Sequence, residues 1–304
     1  PYKCHCLGRT DTFLEAKNPK RINLMNNIKT KILNLPPLST LVEQYDLNPY
    51  KSLGQNFIFD LNLTRKIVRA ANLSSNETIF EIGPGPGALT RALFIEGAGR
   101  VIAIERDKRA ITALSELVDI CNGKLELISD DALKVPINTM GVVPRRIVAN
   151  LPYNIATQLL LNWLQTPDAF TSITVMLQKE VAMRICAEPG NSNYGRLSII
   201  AQWLACPKML FDIPASAFHP KPKVTSTLLE IIPRAHPVFP AEKEALEKIT
   251  AHAFGQRRKM LRSSLKKIGG DHLLSTTDID PTLRPENLSI EDFCKLARAY
   301  TAQV

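Results

Sequence analysis

Asn150-Leu151-Pro152-Tyr153 combines residue types that could hold and activate the amino group of a purine. An exocyclic amine such as adenine's is a weak nucleophile because its lone pair is delocalised into the ring. Two acceptors for its hydrogens, the Asn150 side-chain oxygen and the Leu151 carbonyl, would draw the nitrogen toward tetrahedral geometry and aim the lone pair at an electrophile. Pro152 restricts the residue before it to an extended backbone, which keeps the Leu151 carbonyl turned outward. Tyr153 can stack on the base, a contact that typically contributes roughly 1–3 kcal/mol. The plainer alternative for these four residues is a strand-to-loop turn with a buried tyrosine.

A second cluster could hold the electrophile. Glu81-Ile82-Gly83-Pro84-Gly85-Pro86-Gly87 directly follows a strand pattern and opens a helix pattern. Its glycines allow a tight turn and close approach of a ligand to the backbone. A pyrophosphate site is the competing reading. Pro84 and Pro86 lack the N–H donors that a phosphate cradle needs, and Glu81 adds negative charge, so a cationic, phosphate-free adenosine such as S-adenosylmethionine fits better. Its sulfonium is already an activated leaving group, so catalysis would rest on in-line positioning and needs no metal. Glu105, about twenty residues beyond Gly85, could accept hydrogen bonds from ribose hydroxyls, or could serve as a carboxylate at a helix start. In Ser129-Asp130-Asp131-Ala132 a carboxylate could accept from an adenine amine, or could cap the following turn.

The elements that must position these residues read as alternating short β-branched runs and helical stretches. Residues 78–82, 101–104, 125–129, 146–149 and 173–177 predict buried parallel strands of a doubly wound α/β sheet. Residues 208–211 and 226–232, joined by a Pro-rich loop too short for a crossover helix, predict an antiparallel edge hairpin. The Pro-rich break from Ile232 to Pro240 ends the strand pattern, and the tail is helical. The expected organisation is an N-terminal extension (1–48), an α/β domain (49–234) and a small all-helical C-terminal domain (235–304). In the tail, Leu261, Leu265 and Ile268 mark an apolar stripe, while Arg258, Arg262 and Lys266 recur every four residues, which predicts one basic amphipathic helix.

Composition agrees with a polyanionic partner. The chain has 304 residues and a formal charge of +9, as expected where lysine and arginine displace counterions from phosphates, although a merely solvated basic surface has the same charge. No apolar run approaches the roughly 20 residues of a membrane-spanning helix. The six cysteines lack paired spacing, and Cys4-His5-Cys6 is too compact to wrap a tetrahedral ion, so reduced thiols in a cytoplasmic protein and no metal are expected. Residues 1–24, before Met25, read as an upstream extension that is not necessarily native.

These residues together resemble the ribosomal RNA adenine dimethyltransferase family, and most closely its small-subunit (16S) branch. The resemblance runs from about Tyr50 to Tyr300. It rests on the four residues at 150–153, the glycine turn, Asp131-Ala132, the stretch from Lys51-Ser52-Leu53-Gly54-Gln55-Asn56-Phe57-Ile58 to Phe59-Asp60, and Ala217-Phe218-His219-Pro220-Lys221-Pro222-Lys223-Val224. Phe254-Gly255-Gln256-Arg257-Arg258-Lys259 and Pro285-Glu286-Asn287-Leu288-Ser289 complete it. It implies a Rossmann-like class I methyltransferase fold with a mostly parallel seven-stranded sheet. It also implies that Asn56 and Ile58 line the S-adenosylmethionine pocket with Gly83, Gly85, Glu105, Asp131 and Asn150, and that Phe218 packs the target base opposite Tyr153. Ile58 stands where leucine is common in the family, a swap that keeps the contact.

The implied reaction is dimethylation of two adjacent adenosines near the 3′ end of 16S rRNA, by a monomer acting on the small subunit or its precursor. The large-subunit resistance methyltransferases share residues 150–153 and the Phe218 loop, but the tail motifs match the small-subunit branch. Arg257, Arg258, Lys259, Arg262 and Lys266, with Lys221 and Lys223, become the expected phosphate contacts. The alternatives are a non-catalytic assembly or transcription scaffold using the same basic surface, and DNA adenine methylation, which lacks a separate base-reading domain here.

Overall fold

A computed structural model describes residues 19–50 and 54–303; Cys4-His5-Cys6 and Lys51-Ser52-Leu53 lie outside the described residues. Helices α1 (Pro19–Leu33) and α2 (Leu38–Gln44) precede strand β1 (Phe57–Ile58) and α3 (Leu61–Ala70). Alternating elements follow: β2 (Thr78–Ile82), α4 (Ala88–Ile95), β3 (Arg100–Glu105), α5 (Lys108–Ala113), α6 (Ser115–Cys121), β4 (Leu125–Ser129), β5 (Arg145–Asn150), α7 (Ala156–Trp163) and β6 (Ser172–Gln178). Then come α8 (Lys179–Ile185), α9 (Arg196–Leu204), β7 (Ala205–Ile213), β8 (Phe218–His219) and β9 (Ser226–Pro233). The chain ends with α10 (Lys243–Gly255), α11 (Leu261–Ser264), α12 (Gly270–Thr277) and α13 (Ile290–Thr301).

The strands form a seven-stranded sheet in the order β4-β3-β2-β5-β6-β9-β7, with β2 to β6 parallel. It is the mostly parallel sheet that the periodicity predicts and the Rossmann-like fold that the resemblance implies, with the last two strands neighbours at one edge. Every residue of β2 is buried, as a strand covered on both faces requires. The strand order reverses between β2 and β5, which pair in the register Phe80↔Ile147. Open α/β sheets form their ligand crevice where this reversal leaves the carboxyl ends of two strands uncovered by a connection. Here those ends carry the glycine turn and Asn150.

One polar network is built into the sheet. Arg146 on β5 donates to both oxygens of Glu77 at 2.9 and 3.1 Å, to the Ala71 carbonyl at 2.7 Å and to the Ser172 hydroxyl at 2.7 Å. The pair is largely buried, and these bonds satisfy most of the guanidinium's donors.

The N-terminal stretch is not a loose extension. Ile28 and Ile32, one helical turn apart on α1, are each 1% exposed and join the core built by α3, α4, α6 and the sheet. Burying such a side chain contributes about 1.5–3 kcal/mol. Leu38 and Leu41 of α2 pack on Ala88 at the start of α4.

The chain divides into two compact units, Pro1–Gln178 with Leu210–Glu230, and Lys179–Met209 with Ile231–Val304. The single cut expected after Arg234 therefore misplaces α8 and α9, which group with the C-terminal helices. Tyr194 is fully buried edge-on to Phe254, which lies against Phe293 of α13. The Gln202 amide donates to the carbonyls of Ile185 and Ala187. The expected basic helix across 258–268 is also corrected. It is a turn at 256–258, the four-residue α11 and a 3-10 turn at Lys266–Ile268. Leu261 and Leu265 are buried as the stripe requires, yet the chain ends α11 at Ser264, so the four-residue repeat of basic residues does not form one face.

Cys121, Cys186 and Cys294 carry free thiols, but Cys206 is disulfide-bonded, against the expectation of reduced thiols throughout. Among the described residues, no His/Cys/Asp/Glu cluster could hold a metal and no helix is long and apolar enough to cross a membrane.

Candidate active site

The carboxyl ends of β2, β3, β4 and β5 open into a cavity of about 230 Å³. The glycine turn forms its floor. Gly85 has φ +54°, and a Cβ there would stand 2.7 Å from the Phe57 ring, so both backbone conformation and packing demand glycine. Gly87, at φ +91°, opens α4. Thr90 on that helix donates its hydroxyl to Glu81 at 2.7 Å.

Charged side chains around the cavity are mostly acidic: Glu81, Glu105, Asp130 and Asp131 line it, with Arg106 the one cation among the described residues. The Arg106 side chain is 68% exposed and lies 3.7 Å from Asp131. This donor set suits a cationic ligand and opposes a pyrophosphate, so S-adenosylmethionine fits the residues present. One argument from sequence is modified. Burial pushes the Glu81 carboxyl up to about 8 against the Thr90 hydrogen bond, with nearby Glu105 adding to the rise. At neutral pH Glu81 is largely neutral, and the negative charge rests on its neighbours.

Glu105 ends β3 with its carboxylate clasped by backbone: Oε1 accepts from the N–H groups of Arg106 and Asp107 at 2.8 Å, and Oε2 from Gly85 at 3.1 Å. Burial raises its pKa while these three bonds oppose the rise. A carboxylate offers about four acceptor sites. Three are taken, leaving room for one ribose hydroxyl rather than two unless Gly85 gives way. Of the two readings of Asp131, the cap is the one the structure shows. Its Oδ1 caps the turn by accepting from Leu133 N–H at 3.0 Å, while its Oδ2 faces Arg106 at the cavity wall.

Asn150 closes the other side. Its Nδ2 donates to the Asn56 carbonyl at 2.9 Å, which leaves Oδ1 as the side-chain acceptor not spent on that bond. Tyr153 shares a hydrogen bond of 2.5 Å with Ser226 at the start of β9, so its hydroxyl is anchored and its ring is held at the rim. Burial raises the Tyr153 pKa, opposed by the Ser226 bond, and the phenol stays neutral.

This is a nucleoside-sized crevice with an amide acceptor at its lip. The family model for ribosomal RNA adenine dimethylase matches residues 47–302. The chain belongs to the ribosomal RNA adenine dimethylase family. It is 54% identical over 271 residues to the ribosomal RNA small subunit methyltransferase A of Paramagnetospirillum magneticum, covering 89% of this chain and 96% of the relative. It is 51% identical over 269 residues to the protein of that name from Rhodospirillum rubrum, covering 88% and 93%. The crystal structure of a dimethyladenosine transferase from Plasmodium falciparum superposes with a TM-score of 0.70 at 25% identity, covering 81% of this chain and 98% of that one. The 23S rRNA methyltransferase ErmE shares the fold, with a TM-score of 0.59 at 24% identity over 81% of this chain and 100% of that one. As a member of this family the chain is a methyltransferase.

The structure brings Asn56, Ile58, Gly83, Gly85, Glu105, Asp131, Asn150, Leu151, Pro152 and Tyr153 to one cavity. Phe218 does not line it. Phe218 is 4% exposed in the core cluster, and on β8 it pairs with Ile58 of β1. In this family member it supports a wall residue, and a stacking role needs the Phe218 loop to move.

Among the expected phosphate contacts, Lys221, Lys223, Arg258, Lys259, Arg262 and Lys266 are exposed. Arg257 has another task. It pairs with Glu286 at 2.9 Å and donates to the Asn191 carbonyl at 3.3 Å, which ties two of the tail motifs together. Ser289, in the second of them, caps α13 in a reciprocal box with Asp292. Two functional neighbours lie outside the motifs, Thr90 on Glu81 and Asp107 beside Glu105, while Phe57 against Gly85 belongs to the 51–60 stretch but its role is not legible there. Asp107 could have been found as the N-cap aspartate before α5.

Proposed function

We propose that this chain transfers methyl groups from S-adenosylmethionine to the N6 amine of two adjacent adenosines near the 3′ end of 16S rRNA. The product is dimethyladenosine, and the setting is small-subunit biogenesis. The observation that carries the reading is the Asn150–Asn56 bond. It fixes the amide so that its oxygen is left to accept from an amine beside an acidic, cation-compatible crevice.

S-adenosylmethionine supplies a methyl carbon already attached to a good leaving group. The residues of this chain do the rest. Asn150 Oδ1 and the Leu151 carbonyl take the two amine hydrogens, Pro152 keeps that carbonyl extended, and Tyr153, steadied by Ser226, offers its ring to the base. Glu105 and Asp131 hold the adenosine end. No side chain needs to act as a base, because the proton is acidic once the nitrogen is alkylated and passes to water.

The test is radiolabelled methyl transfer to small-subunit particles that lack the modification. Wild-type protein is expected to label them, and Asn150→Ala to lower kcat about 100-fold or more, the usual effect of removing one preorganised polar contact to a transition state. A wild-type protein inert on such particles, or an Asn150→Ala variant of full activity, would overturn the reading.

A further inference from the structure

A chain of contacts leads from the N-terminal segment to the cavity wall. The Arg109 guanidinium donates to the carbonyls of Asp46 and Asn48 and lies 3.9 Å over the Tyr50 ring. It also grips both oxygens of Asp107, at 3.1 Å from Nε and 2.7 Å from an NH2 nitrogen. Asp107 Oδ2 in turn accepts from the Gln55 amide at 3.1 Å, and the Gln55 carbonyl oxygen accepts from Tyr50 N–H at 3.0 Å. Gln55 lines the cavity and immediately precedes Asn56, the residue whose carbonyl holds Asn150. Asp107 meanwhile donates its own N–H to Glu105.

Four of the five guanidinium donors of Arg109 are thus committed, two of them to backbone of the N-terminal segment. Both ends of the Gln55 amide are tied outside the cavity. Burial alone would raise the Asp107 pKa, and the bonds from Arg109 and Gln55 overcome it, so Asp107 stays an anion. A paired anion at this junction couples two walls of the pocket, because displacing Asp107 disturbs the side chain of Gln55 and the backbone clasp on Glu105 together. The rest of the segment is seated independently. Leu38 and Leu41 pack on Ala88, and Leu47, fully buried, packs on Ala110 and Ala113 of the helix that carries Arg109.

We propose that residues 38–50 are a strap that sets the affinity of the cavity for its adenosyl cofactor, with Arg109 and Asp107 as positioning residues acting through Gln55 and Glu105. The inference rests on the cavity being the S-adenosylmethionine site. The strap touches neither the methyl nor the base, so its loss weakens cofactor binding and leaves the transfer step intact.

The full chain tests this by calorimetry with S-adenosylhomocysteine and by steady-state kinetics on unmodified small-subunit particles. Arg109→Ala is expected to raise the Kd and the KM for S-adenosylmethionine about tenfold, with kcat and the KM for particles changed less than twofold. Gln55→Ala is expected to behave alike, and the double variant to be no worse than the poorer single, since both cut one chain. Arg109→Lys, which keeps the charge facing Asp107 but cannot span the two carbonyls, should recover part of the affinity. If Arg109→Ala does not fold, Gln55→Ala and the surface change Tyr50→Ala carry the same expectation of a raised Kd. Affinity within twofold of wild type, multiplicative losses in the double variant, or equal falls in kcat and cofactor affinity overturn the strap. Wild-type protein that binds no S-adenosylhomocysteine removes the cofactor reading and the strap with it, whereas wild-type binding with unaffected variants overturns the strap alone.

Discussion

Glu81 shows how far a residue's chemistry depends on its surroundings. Its carboxyl, about 8 in the folded protein against an ordinary 4.5, keeps a proton that the unfolded chain gives up above 4.5. Folding stability from this group is therefore greatest below 4.5 and falls as pH rises from 4.5 toward 8. Glu81→Gln keeps an acceptor for Thr90 and removes the titration. Its melting temperature relative to wild type is expected to climb between about pH 5 and about pH 8. Thermal scans across that range check this, and a difference that stays flat with pH contradicts it. The same residue scale shows what could be read in advance. Asn150 and Tyr153 are recognisable because their chemistry is local to four residues. The Asn56 carbonyl that orients Asn150 is 94 positions away, and no spacing rule connects them. The family resemblance alone places Phe218 at the base; its pairing with Ile58, far off in the chain, draws it into the core, and no spacing rule connects those two either.

The elements divide by how their burial is patterned. The parallel strands were legible to within a few residues, because fully buried strands leave continuous β-branched runs in the sequence. The basic helix was not, because an apolar i, i+4 pair such as Leu261 and Leu265 needs only a single turn of helix and says nothing about whether the helix runs on. Strand β5 holds a further consequence. Arg146, its second residue, is largely buried and paired with Glu77, which also accepts from Thr171 and the Ser74 N–H. Removing one partner strands the other charge, at a cost typically of about 3–5 kcal/mol. Glu77→Ala is expected to lower stability by that order in denaturant titration. A change below about 1 kcal/mol would show that the network is replaceable by water.

At the scale of the whole molecule, a helical C-terminal part was legible from the Pro-rich break, but its grouping with α8 and α9 from the middle of the chain is invisible to a linear reading. Tyr194, deep in that unit, is an ordinary loop residue by sequence and becomes a core residue only against Phe254. The net charge of +9 was legible at once, and exposed Arg258 and Arg262 give it a place to act. Removing one phosphate-binding cation lowers the slope of log affinity against log salt by about one, since one fewer counterion is released. Replacing both arginines with alanine is expected to weaken rRNA binding and flatten that slope by about two units, without changing the affinity for S-adenosylhomocysteine. An unchanged slope would mean that these two side chains face solvent in the complex.

Adenine N6 must meet the methyl donor at Asn150 for any of this chemistry to occur. Mass analysis of nuclease fragments from the 3′ end of 16S rRNA, taken from cells lacking the protein and complemented with wild type or Asn150→Ala, reads this directly. Two adjacent dimethyladenosines restored by wild type and missing with Asn150→Ala is the result expected. Unmodified adenosines in cells that make the wild-type protein, or full dimethylation by Asn150→Ala, would contradict it.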